Sequence, residues 1–259
     1  MIDFEVKGAI FDVDDTLLDN MEHTGNGLHE RSRLLAVREV GGQFGVETLA
    51  NYSAESNALA FRRAKVHTLE GALWHILTDA GMVASETIDH ENELLVAMAA
   101  RKNSLHDVIL QDEAEPIQDA PAFVRALVRA GVNVAIASTA IRRHIDIFLT
   151  KTSLGEYFPA VRVKSYESFT NPKPDPEVFN LAFDTLGLPE SGRAHTCVFE
   201  DDPRGIGGAK AAGLYVCAIT TRYDRDTLSA LEVPPDLIAD SYQEFAGYFG
   251  LELDNTQRY

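Results

Sequence analysis

Ala9-Ile10-Phe11-Asp12-Val13-Asp14-Asp15-Thr16-Leu17 decides the reading of this chain. An apolar run ends on two carboxylates two positions apart, and residues two apart on a strand share a face. With a strand taken over residues 6–13, Asp12 and Asp14 stand together at its carboxyl end. Such a pair suits a hard cation bound through oxygen. It also suits a division of labour between a nucleophile and a general acid/base.

Outward from that point, short apolar runs alternate with helical patterns. Strands are expected at 6–13, 132–137, 160–163, 196–199, 214–219 and 237–239. Helices are expected at 120–130, 140–149, 176–186 and 205–212, with Gly131, Gly187 and Gly213 placed as C-caps. Nearly continuous apolar strands separated by helices imply an α/β fold, a Rossmann-like parallel sheet core with helices on both faces. Residues 20–112 break this rhythm. They hold no strand pattern, only helical ones at 24–40, 46–64, 68–80 and 85–110. The expected organisation is a discontinuous core, 1–19 and 113–259, with an inserted all-helical cap domain over 20–112. The stretch Asp112-Glu113-Ala114-Glu115 before Pro116 reads as the return linker, and residues 253–259 as a loose tail.

The 259 residues are 45% hydrophobic, enough for a sizeable core. With 23 basic and 40 acidic side chains the net charge is −17. That charge argues against nucleic-acid partners and against anionic membrane surfaces. It leaves anionic substrates open, because a metal ion can reverse the field in a cleft. Cys197 and Cys217 lie in separate apolar runs and read as reduced, buried thiols in neighbouring strands. The start, Met1-Ile2-Asp3-Phe4-Glu5, is neither basic nor followed by a long apolar run, and no window looks like a membrane span. The expectation is a cytoplasmic monomer or homodimer.

Parallel α/β sheets place ligands at the carboxyl ends of their strands. Asp12 and Asp14 follow the first expected strand, and Ser138 and Thr139 the second. Asn171-Pro172-Lys173-Pro174 lies beyond the third, and Glu200-Asp201-Asp202 follows the fourth. Such a set can bind a divalent cation and a phosphate together. The carboxylates would hold Mg²⁺, and the Ser138 hydroxyl with nearby backbone N–H groups would hold phosphate oxygens. Lys173 would supply a point charge to phosphate and nucleophile. Ordinary readings stand beside these: a solvated acidic turn at 200–202, a stiff exposed loop around Lys173, and a helix N-cap at Ser138. The last is compatible with anion binding at a helix N-terminus. Gly205-Ile206-Gly207-Gly208 lacks the sixth-position glycine of a nucleotide loop and reads as close helix packing.

These residues resemble the haloacid-dehalogenase superfamily, in the branch with a helical cap inserted after the first strand. Four motifs occur in order: Phe11-Asp12-Val13-Asp14-Asp15-Thr16-Leu17, Ala137-Ser138-Thr139, Lys173-Pro174-Asp175-Pro176-Glu177-Val178-Phe179 and Phe199-Glu200-Asp201-Asp202-Pro203-Arg204-Gly205-Ile206. Asp15 stands where the family often has Gly, and Asp202 where it often has Ser. The resemblance implies that Asp12 attacks phosphorus and forms an aspartyl phosphate. Asp14 would protonate the leaving oxygen, activate the hydrolytic water and lend its carbonyl to Mg²⁺. Glu200 and Asp201 would complete the metal site, and Ser138, Thr139 and Lys173 would bind phosphate.

The implied activity is a Mg²⁺-dependent phosphatase acting on a small phosphorylated metabolite, with a sugar phosphate the expected class. The alternative is a β-phosphoglucomutase-type sugar-phosphate mutase. Arg101-Lys102-Asn103 resembles a cap stretch of β-phosphoglucomutase-like members, which makes Lys102 and Asn103 candidate substrate contacts; a solvated helix end is the ordinary reading. Leu69 stands where those mutases carry a phosphate-binding Arg. Thr24 stands where they carry a hinge His, with His23 one place early. Both departures weigh against a mutase. A dehalogenase would not need Asp14 with Glu200 and Asp201. A non-enzymatic phospho-receiver module sets similar residues on a sheet edge but is shorter and has no cap.

Overall fold

The computed structural model describes residues 2–20, 27–85 and 87–254. The chain divides into two compact units, Met1–Asp19 with Ala114–Tyr259, and Asn20–Glu113. The first is built on six parallel strands: β1 (Gly8–Phe11), β2 (Asn133–Ala137), β3 (Val163–Lys164), β4 (Thr196–Glu200), β5 (Tyr215–Ile219) and β6 (Leu237–Ala239). Their order is β3-β2-β1-β4-β5-β6, and every pairing is parallel. Phe11 lies opposite Ile136 of β2 and Phe199 of β4. Asp12 and Glu200 are therefore level with one another as the chain leaves two adjacent strands.

Strand alternation sends successive residues to opposite faces. Ile10, Ala135, Val198 and Val216 face α8 (Glu177–Asp184) and α9 (Pro203–Ala211), burying Phe179 and Ile206. Their neighbours Phe11 and Phe199 face the other way, their rings stacked with centroids 4.6 Å apart. Phe199 meets Phe123 of α6 (Ala120–Arg129) and Phe245 of α11 (Tyr242–Phe249) edge-on at 5.2 Å. Both faces of the sheet are thus covered by helices, and an aromatic layer lies directly beneath the strand ends that carry Asp12 and Glu200. Burying each such ring contributes about 1.5–3 kcal/mol. Two further helices, α7 (Arg142–Lys151) and α10 (Arg225–Ser229), complete this unit. Cys197 and Cys217 are free, buried and on adjacent strands.

The second unit lies in sequence between β1 and β2. Its helices are α1 (Leu28–Gln43), α2 (Glu47–Ala50), α3 (Ala54–Arg63), α4 (Leu69–Asp79) and α5 (Glu93–Glu113), around a core that includes Val37, Leu49, Leu73, Ile76 and Met98. Where the chain departs from and returns to the sheet unit, the strands run side by side. Asp19 N–H donates to the Glu115 carbonyl at 3.0 Å, and Ile117 N–H to that of Leu17 at 2.8 Å. None of the described helices is long and apolar enough to cross a membrane.

Several expected boundaries move. The first strand stops at Phe11 rather than residue 13, because Leu17 and Leu18 N–H both turn back to the Val13 carbonyl. Residues 160–162 form a helical turn, Arg162 N–H closing on Pro159 O, and only Val163–Lys164 pair with β2. The helix expected over 46–64 breaks in two, with the Ser53 hydroxyl capping α3 by accepting from Ser56 N–H. α5 begins late, after the Asn92 side chain accepts from Leu94 and Leu95 N–H, and it runs on through Glu113 into the expected linker.

Candidate active site

Asp12 leaves β1 with its N–H still bonded to the Phe199 carbonyl, which locks it beside β4. The turn that follows needs a left-handed residue at Asp15 (φ 57°). Glycine would take this conformation without steric cost, and Asp tolerates it. Asp14 is thus placed by a turn rather than by strand alternation; it is half-buried and bridges to Leu18. Thr221, just beyond β5, braces the same turn through its hydroxyl, which donates to the Asp15 carbonyl at 2.5 Å.

Lys173 arrives from the loop before α8. The Glu177 carboxylate stiffens that loop by accepting from Thr170 and Asn171 N–H at 3.0 and 2.8 Å. The Lys173 side chain is 7% exposed, and its Nζ donates to Asp12 Oδ1 at 2.7 Å and Glu200 Oε1 at 2.5 Å. This is a tight ion-pair centre, not an exposed loop. Glu200 and Asp201, 1% and 2% exposed, are equally far from a solvated acidic turn. Glu200 Oε2 accepts from Asp201 N–H at 3.2 Å. Asp202 serves elsewhere: it caps α9 by accepting from Arg204 N–H, and Arg204 and Arg222 pair with it.

Carboxylate oxygens of Asp12, Glu200 and Asp201 all lie within 4.8 Å of one another. Two of these three buried carboxylates, Asp12 and Glu200, pair with the Lys173 ammonium. Burial pushes Asp12 up to about 8, with Lys173 opposing and Glu200 and Asp14 adding to the rise. Burial also raises Glu200, against Lys173. Asp201 is driven well above the usual carboxylate range by burial and by Glu200. For Lys173, burial favours the neutral amine, but Asp12 and Glu200 outweigh it and hold the ammonium. Such a set calls for a further positive charge, since uncompensated buried charge is costly. Asp201 Oδ2 is buried and meets no hydrogen-bond donor among the described residues. An all-oxygen cluster with an orphaned carboxylate oxygen fits a hard divalent cation such as Mg²⁺.

Ser138 lies just beyond β2, its hydroxyl accepting from Ala140 N–H at 3.1 Å. It is not the cap of α7. That helix starts at Arg142, whose N–H is taken by the Glu167 carboxylate at 3.0 Å, so the helix end already holds an anion. Ser138 N–H is itself spent on the Lys164 carbonyl. Thr139 is exposed. In the helical unit Lys102 is buried on α5, with its Nζ 3.0 Å from His29 Nδ1. The His29 ring stacks on His106 at 4.1 Å. Asn103 is half-buried. Leu69 is the first residue of α4, capped by Thr68. His23 and Thr24 lie outside the described residues.

Two contributors have no role in the motif reading. Thr16 Oγ1 donates to Asp201 Oδ1 at 3.1 Å, and Tyr242 of α11 donates its hydroxyl to the Thr16 carbonyl at 2.9 Å. The haloacid dehalogenase-like hydrolase model matches residues 6–213, which hold the β1, β2 and β4 strand ends and all four motif stretches. This chain belongs to the haloacid dehalogenase-like hydrolase family. Among family relatives, a CBBY-like protein of Arabidopsis thaliana is 28% identical over 129 residues, 49% of this chain and only 39% of the relative. A validoxylamine A 7'-phosphate phosphatase of Streptomyces hygroscopicus is 26% identical over 227 residues, 88% of this chain and 92% of the relative. A solved CbbY variant from Rhodobacter sphaeroides, in complex with xylulose-(1,5)bisphosphate, superposes with a TM-score of 0.69 at 20% identity, covering 96% of this chain and all of that one.

Proposed function

We propose that this hydrolase is a Mg²⁺-dependent phosphomonoesterase acting on a small phosphorylated metabolite of the sugar-phosphate class. The observation that carries the reading is the buried cluster of Asp12, Glu200 and Asp201 oxygens within 4.8 Å at the carboxyl edge of the sheet, with Lys173 paired to Asp12 and Glu200. Asp12, Glu200 and Asp201, with the Asp14 carbonyl, would hold the cation, which when bound would neutralise charge on the transferring phosphoryl group. Asp12, fixed by its backbone bond to β4 and by Lys173, is the nucleophile and carries the aspartyl phosphate. Lys173 lowers the repulsion between this carboxylate and an anionic ester. Asp14, half-buried and displaced from Asp12 by the turn, protonates the leaving oxygen and then takes a proton from the hydrolytic water. The Ser138 hydroxyl and Thr139 hold phosphate oxygens. Residues 1–19 and 113–259 serve as the catalytic core and 20–112 as the cap, with Lys102 and Asn103 offered to substrate. The Streptomyces relative, a validoxylamine A 7'-phosphate phosphatase that aligns over most of both chains, supports a small phosphorylated metabolite as substrate.

A screen for free phosphate across sugar phosphates, nucleotides and other monoesters with Mg²⁺ tests this. Asp12→Asn should lose on the order of 10³-fold or more in turnover. An unchanged rate in that variant would remove the covalent mechanism. A mutase would release little phosphate and would depend on a bisphosphate primer.

A further inference from the structure

The geometry points to Thr16 as a positioning residue for the metal centre: its hydroxyl engages Asp201 Oδ1 and so reserves Oδ2 for the cation. This inference rests on the metal-dependent reading above. Thr16 is fully buried, and its hydroxyl has one proton to give; that proton goes to Asp201 Oδ1 at 3.1 Å. The other oxygen of the same carboxylate is buried and has no donor among the described residues. A carboxylate free at both oxygens could rotate about its terminal bond or bind a cation through both. One held at Oδ1 presents a single oxygen in a fixed direction. Ligands of this kind owe their orientation to the hydrogen bond on their far side.

The Thr16 backbone is itself held. Its carbonyl accepts the Tyr242 hydroxyl, 226 residues away, from the fully buried side chain of α11. A second support, Thr221 on the Asp15 carbonyl, fixes the preceding residue. The peptide carrying the Thr16 hydroxyl is therefore braced on both sides. A surface threonine that merely satisfied a carboxylate would need neither brace.

The test is binding of Mn²⁺, standing in for Mg²⁺, to the full-length protein, followed by the electron paramagnetic resonance signal of the free ion. Thr16→Val keeps the shape and removes the donor; it should raise the Mn²⁺ Kd by about 10–100-fold. Thr16→Ser keeps the hydroxyl and should restore binding. Should Thr16→Val fail to fold, Thr16→Ala against Thr16→Ser isolates the same hydroxyl. A Thr16→Val protein that melts at lower temperature yet binds Mn²⁺ with the parental Kd would overturn the inference and leave Thr16 a packing residue. Failure of the metal site itself gives a different result: no saturable Mn²⁺ binding in the parent, or binding that survives Asp201→Asn.

Discussion

At Gly205 the absence of a side chain is what lets Glu200 sit in the centre. A Cβ built there would lie 2.0 Å from Glu200 Oε1 and 2.1 Å from its Cδ. The carboxylate cannot slide away freely, because Lys173 and the Asp201 and Asp202 N–H groups pin it. Gly205→Ala should therefore fold, with Glu200 displaced, and lose about 10²-fold in kcat/KM, the usual scale for a misplacement of an ångström. Circular dichroism with steady-state kinetics checks both halves; full activity in the folded variant would contradict it. Asp12, Lys173, Glu200 and Asp201 were legible because each is a chemically distinctive residue at a strand end or a proline-bounded loop. Gly205 reads as a packing residue in sequence, since no pattern tells that the atom it makes room for is a carboxylate. Thr16 stood inside a recognised motif, but its partner lies 185 residues away, a pairing that no local rule reveals.

At the scale of elements, α11 shows what local signals can and cannot carry. Ser241 caps it by accepting from Glu244 N–H, and Gly250 ends it in the left-handed region. Ser-x-x-Glu followed by a glycine is a readable start and stop, so this helix could have been found ahead of the expected tail. Its task could not, because Tyr242 reaches Thr16 only after the sheet has assembled. Tyr242→Phe removes the donor and leaves a buried carbonyl unpaired, so urea denaturation should show a loss of about 1–2 kcal/mol. Equal stability of variant and parent would mean that the contact contributes nothing. The first strand teaches the converse. Alternation over 6–13 would put Asp12 and Asp14 on one strand face, but the backbone turns at Val13. What sets the two carboxylates apart in position is that turn and the left-handed residue within it.

The sheet unit gathers Asp12, Lys173 and Glu200 with Asp201 from three distant stretches, and sets Ser138 at the end of the neighbouring β2, because β1 lies between β2 and β4. The alternation of apolar runs with helices made that order of elements readable. The helical insertion was readable too, as an interruption of strand rhythm. Substrate recognition was not, for Lys102 is engaged with His29 in the helical unit and periodicity says nothing about what such a residue meets. The three buried carboxylates call for a positive charge at the strand ends, and the chain's net charge of −17 does not relieve that demand. The proposed mechanism turns on a covalent step at Asp12. The direct measurement is an acid-quenched single turnover with Mg²⁺ and the best substrate of the phosphate screen, followed by borohydride reduction and peptide mass spectrometry. Homoserine at position 12 is the predicted result. Turnover that leaves Asp12 unmodified, with homoserine at another carboxylate or at none, would contradict it.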